Sequence, residues 1–165
     1  MHITPRLSGR LAVLLLTVGV AAAAAQVKPD FSGAWVLNRP ASTLPPPVSN
    51  VESGVVRIEH RDPSFSFHRS YVIAGAPRDG GYTLRTDGSE STETGPQGAT
   101  TTSTLRWEGP SLVLDMRITG AGVEATNVVR YELLDGGKRL RASEQGRSKQ
   151  LPLGNHDAIW IYDRR

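Results

Sequence analysis

The side chains that titrate nearest neutral pH are His60, His68 and His156, the histidines that follow residue 26. A local metal motif sets its ligands a few residues apart on one element, and these three stand too far apart for that. Acid–base work would need His60 to line a cavity with an acid from a neighbouring strand in reach. Glu90 and Glu93 have opposite parity along a strand, so they do not face the same reacting atom. No Gly-x-Ser-x-Gly elbow, phosphate-cradling glycine loop or His-Glu-x-x-His pair occurs. The chain has no cysteine, which removes thiol nucleophiles, thiolate metal sites and disulfides. The expectation is a protein with no catalytic residue, no metal and no cofactor.

Side chains suited to holding a molecule are easier to find. In "FSFHRSYVI", Phe65 to Ile73, alternation along a strand puts Phe65, Phe67, Arg69, Tyr71 and Ile73 on one face. A guanidinium at Arg69 suits an anionic headgroup or an aromatic face, and it equally suits an acid at a barrel rim. "SLVLDMRIT" puts Leu112, Leu114, Met116 and Ile118 together, and "GVEATNVVRYELL" does the same for Val123, Ala125, Asn127, Val129, Tyr131 and Leu133.

These faces imply strands, and the chain from Val51 onward is a succession of short β-prone runs with Gly, Pro and Asp-Gly punctuation. Turns are expected at Arg61-Asp62-Pro63-Ser64, around Ala76-Pro77-Arg78-Asp79-Gly80, at Glu108-Gly109-Pro110-Ser111 and at Asp135-Gly136-Gly137-Lys138. The Ser/Thr-rich tract 89–104 reads as two polar strands joined at Gly95-Pro96-Gln97-Gly98, because threonine is β-prone. Residues 40–47, "PASTLPPP", lack ladder donors at their prolines and read as a loop or lid between the first two strands. Nine or ten strands at such spacing predict an all-β sandwich or barrel.

Met1 to Ala25 stands apart. Arg6 and Arg10 precede the apolar run Leu11 to Val20, and Ala23-Ala24-Ala25 forms a small-residue cleavage pattern, so a cleaved signal peptide over 1–25 is expected. The run is shorter than the ~20 apolar residues a spanning helix needs, so no membrane span is expected after cleavage. The remainder, 26–165, is the size of one domain, and its location is expected to be periplasmic or extracellular. Losing the two leader arginines takes the formal charge from +3 to +1, and no Lys/Arg cluster interleaves with aromatics. Nucleic acid is therefore not an expected partner.

"FSGAWVLN", Phe31 to Asn38, resembles the Gly-x-Trp opening of lipocalins and fatty-acid-binding proteins, and "AIWIYDRR", Ala158 to Arg165, resembles the closing strand of the latter with its aromatic-acid-arginine triplet at Tyr162-Asp163-Arg164. "TDG" at Thr86 to Gly88, "WEGPSLV" at Trp107 to Val113 and "LLDGGKRL" are similar to small exported bacterial lipocalin-like proteins. The resemblance spans 30–165 and implies an antiparallel up-and-down β-barrel of about 8–10 strands, with a cavity for one small apolar or amphipathic ligand. The indole of Trp35 would cover the closed end, its N–H finding a carbonyl. One departure counts against a fatty acid: Trp160 stands where the resemblance places the arginine that clamps a ligand carboxylate.

The expected function is a lipocalin-like, exported, soluble barrel that binds a small hydrophobic or amphipathic molecule. Its wall residues would be Trp35, Phe67, Arg69, Tyr71, Trp107, Met116, Tyr131, Trp160 and Tyr162, chosen for face and bulk. The alternative is a barrel filled by its own side chains that serves as an interaction module, touching a protein partner through residues 40–47.

Overall fold

The computed structural model describes residues 28–46, 48–95, 97–149 and 154–165. The expected leader lies outside the described residues. Ten strands follow one another: β1 (Gly33–Leu37), β2 (Val51–Arg61), β3 (Ser64–Ile73), β4 (Ala76–Arg85), β5 (Asp87–Thr94), β6 (Thr100–Glu108), β7 (Ser111–Gly120), β8 (Val123–Leu134), β9 (Arg139–Ser148) and β10 (His156–Arg164). They make one sheet in the order β4-β3-β2-β1-β10-β9-β8-β7-β6-β5, with antiparallel pairing throughout. β1 pairs with β10, so the two sequence ends of the sheet meet in its middle, and β4 and β5 stand at its two edges. The result is the expected up-and-down barrel, nearly closed.

Alternation builds both faces. Val56, Ile58, Phe65, Phe67, Leu105, Leu112, Leu114, Val129 and Leu140 point inward and are buried. Outward neighbours carry ion pairs such as Arg141–Glu132 at 2.7 Å. Burying each large apolar side chain contributes roughly 1.5–3 kcal/mol, so the inward set supplies most of the stability.

The expected turns at 61–64, 108–111 and 135–138 each join a hairpin, and the tract 89–104 supplies β5 and part of β6. Pro96 of the joint expected at 95–98 lies outside the described residues. The turn expected around 76–80 is instead part of β4. The chain reverses at Ala74-Gly75, where φ is 49° and 72°. Asp79-Gly80 is the stronger turn signal in sequence, but β4 is an edge strand, where Pro77 lacks no donor that the sheet needs.

The sequence's Phe-x-Gly-x-Trp opening closes one end. Trp35 is 0% exposed and its indole N–H donates to the Phe31 carbonyl at 3.1 Å. Phe31 sits against His60, Phe65 and Trp107. From outside, the Arg164 guanidinium lies 4.2 Å from the Trp35 ring centroid and donates to the carbonyls of Ser32 and Gly137 at 2.8 and 2.7 Å. Gly33 permits this: its φ is 144°, and a Cβ there would meet Arg164 Nη1 at 2.8 Å. At the other end, the segment between β1 and β2 runs beside β10, with Thr43 in an antiparallel bridge to Ile159 and Leu44 buried in the core.

Candidate ligand-binding site

Register aligns the inner wall in rows. Ser103, Met116, Asn127, Gly146 and His156 are successive partners across β6 to β10, at the end of the barrel away from Trp35. The next row down is Leu105, Leu114, Val129, Glu144 and Ala158, and the one below it is Trp107, Leu112, Tyr131, Ala142 and Trp160. The uppermost row is therefore largely polar, the next is apolar except for Glu144, and the lowest is apolar and aromatic.

Glu144 is the hub of the polar part. Its side chain is only 16% exposed; Oε1 accepts from Asn127 Nδ2 at 2.9 Å and Oε2 from the Trp160 indole at 2.6 Å. His156, with its side chain 10% exposed, brings Nε2 to 3.7 Å from the same carboxylate. The ring packs against Gly146, where a Cβ would come within 2.1 Å of it. Asn127 Oδ1 and both ring nitrogens of His156 are buried without a hydrogen-bond partner among the described residues. A buried polar atom left so costs about 1–3 kcal/mol, and native structures hold few of them.

Aromatic rings make the rest. Tyr71 stacks on Trp160 at 5.5 Å and its hydroxyl meets that of Tyr162 at 2.6 Å. Phe67 stacks on Tyr82 at 5.1 Å, and the Tyr82 and Tyr131 hydroxyls are 2.7 Å apart. Burial pushes the ionisation of all four tyrosines upward. Arg69 is exposed at the rim, with its guanidinium 5.6 Å from the Tyr71 ring centroid.

Of the nine wall residues expected from sequence, Tyr71, Trp160 and Tyr162 come together beside Glu144, and Phe67 and Tyr131 meet through Tyr82. Met116 is half-buried in the Asn127 row. Trp35 and Trp107 belong to the closed end, where the Trp107 indole donates to Asp62 Oδ1 at 2.8 Å beneath Lys28. Glu144, Asn127, His156 and Tyr82 were not among the expected residues, although inward parity with Leu140 and Ala142 was a usable signal for Glu144.

Two open concavities lie outside the barrel. One, of about 680 Å³, runs along Arg57, His68, Arg69, Ser70, Asp79 and Arg165 on β2 to β4, so the guanidinium expected in the cavity wall also lines this outer groove. A second, of about 540 Å³, lies by Asp30, Gly137 and Arg164 at the closed end.

No protein-family model and no curated protein sequence matches the chain. Solved structures do. The fatty acid transporter REP1-NXSQ superposes with a TM-score of 0.55 at 17% identity, over 82% of this chain and 96% of that one. Apo lipid binding protein 8 of Caenorhabditis elegans gives 0.57 at 11% identity, over 82% and 95%. Secretory abundant heat soluble protein 4 from Ramazzottius varieornatus gives 0.54 at 13% identity, over 86% and 99%. Such identities speak for architecture alone, and the architecture they establish is the lipocalin-like barrel of the fatty-acid-binding proteins.

Proposed function

We propose that the chain is an exported barrel that binds one small hydrophobic or amphipathic molecule in the loop-covered half of its interior. The observation that carries this reading is the junction in the inner wall where the stacked Tyr71–Trp160 pair adjoins three buried polar atoms without partners on Asn127 and His156. A wall greasy below and polar above matches a guest with one apolar and one polar end. The guest's polar end would satisfy atoms whose isolation otherwise costs stability, and its apolar part would contribute about 0.8 kcal/mol per buried methylene. Support for the class of guest also comes from the fold's neighbours, one a fatty acid transporter and another a lipid binding protein. Export rests on the leader-like segment 1–25.

Indole fluorescence tests the reading. Trp160 is the tryptophan at this junction, so Trp160→Phe should remove the ligand-dependent part of the signal when environment-sensitive dyes, retinoids and acyl chains are added. Silence across the panel would reject it.

A second reading has its own observation. Tyr82 and Tyr131 touch across the interior, and open concavities of about 680 and 540 Å³ are on the outside. Both fit a filled barrel that serves as an interaction module. Under that reading, deleting residues 43–47 abolishes capture of a protein partner.

A further inference from the structure

We infer that the polar end of the guest is a hydrogen-bond donor of the alkylammonium class, not a carboxylate. This rests on the proposed interior binding and says what chemistry that site selects. The unspent hydrogen-bonding capacity of the polar wall is mostly that of acceptors. The Glu144 carboxylate takes one donor on each oxygen, from Asn127 and Trp160, and each oxygen keeps capacity for another. The Asn127 amide spends a donor on Glu144, which leaves its Oδ1 buried and unpartnered. His156 adds two buried nitrogens without partners, at least one of which is an acceptor when the ring is neutral.

Among the described residues no lysine or arginine is paired with Glu144: its basic neighbour is the His156 imidazole, with Nε2 at 3.7 Å, and Arg69 is exposed at the rim over Tyr71. Where a carboxylate-clamping arginine would stand, Trp160 instead aims its N–H at Glu144. An incoming carboxylate would therefore face the Glu144 charge in a poorly solvated wall, where like charges repel most strongly. An ammonium would find a carboxylate, an amide oxygen and an imidazole within one register row of each other, with the Tyr71–Trp160 stack beside them as a surface for its alkyl chain.

The test is a matched series of one chain length: decylamine, 1-decanol and decanoate, titrated below their aggregation limits by competition against a neutral apolar dye. The amine should bind at least tenfold more tightly than decanoate, with the alcohol between. Glu144→Gln should shrink the amine's advantage over decanoate at least tenfold, each affinity being referred to the dye's own affinity for that variant. Because a folding defect in that variant would mimic loss, circular dichroism is recorded on it. Asn127→Ser, a smaller change, should weaken the amine about threefold relative to 1-decanol. Decanoate binding as tightly as the amine, above all if Arg69→Ala removes it, overturns the inference while leaving interior binding intact. Failure of the neutral dye itself to bind overturns interior binding.

Discussion

The hydroxyls of Tyr82 and Tyr131 lie 2.7 Å apart, although their strands, β4 and β8, are separated by five others in the sheet. Only a sheet rolled on itself brings them together, and the bond spans the interior. Tyr82→Phe or Tyr131→Phe alone leaves one buried hydroxyl without its partner and should cost about 1–3 kcal/mol. The double variant should cost less than the two singles together, by about 0.5–3 kcal/mol, in urea unfolding followed by circular dichroism. Strictly additive losses would mean the two sides do not touch in solution.

Alkaline stability should report the same interior. Burial raises the ionisation of Tyr71, Tyr82, Tyr131 and Tyr162 above the ordinary tyrosine value of 10.0, so the folded state holds protons that the unfolded chain releases. Stability is then fully present below pH 10 and falls as pH rises beyond it. Absorbance at the tyrosinate band should stay flat past pH 10 and rise together with unfolding. A separate early titration of even one tyrosine would contradict the packing described.

The closed end has an acid-side signature. Burial holds His60 below 6.5, its ordinary value, against the opposing pull of Asp30 and Asp62, while Lys28 adds to the depression. Between the lowered folded value and 6.5 the unfolded chain binds more protons, so this contribution is whole above 6.5 and is lost as pH falls from there. Thermal unfolding from pH 8 to 5 should show a slope in the native protein that His60→Phe flattens. Asp62 titrates elsewhere: donors from Lys28, Thr86 and Trp107 hold it far below the usual carboxylate range, so its share is lost only in strong acid.

Gly146 gives the polar wall its room. A Cβ there would stand 2.1 to 2.8 Å from three atoms of the His156 ring. Gly146→Ala should displace that ring at a cost of about 1–3 kcal/mol and shift the His156 imidazole resonances. Unchanged resonances would place the ring somewhere other than over Gly146.

How much of this was legible in the sequence follows from which forces are local. Alternation marked the inward face of β3, β7 and β8 because side-chain direction on a strand is set by the residue's own parity. The floor was legible too, since Gly33 and Trp35 answer to a backbone conformation and a carbonyl close in the chain. The reversal at Ala74-Gly75 was missed because Asp79-Gly80 carries the better turn signal, and only the edge position of β4 makes an extended Pro77 and Gly80 acceptable. Glu144 and His156 were missed for a different reason. A carboxylate on a strand ordinarily faces water, and its burial here depends on Asn127 from β8 and Trp160 from β10. Those partners are set by barrel closure, which no single strand records.

The most direct test of a guest-binding interior is a nitrogen-15 NMR titration with the neutral apolar dye of the competition series, followed at the side-chain N–H groups. The account predicts shifts in the Trp160 indole and the Asn127 amide, with the Trp35 indole at the closed end unmoved. Shifts confined to the outer wall around Arg57, His68 and Arg165, or none at all, would contradict it.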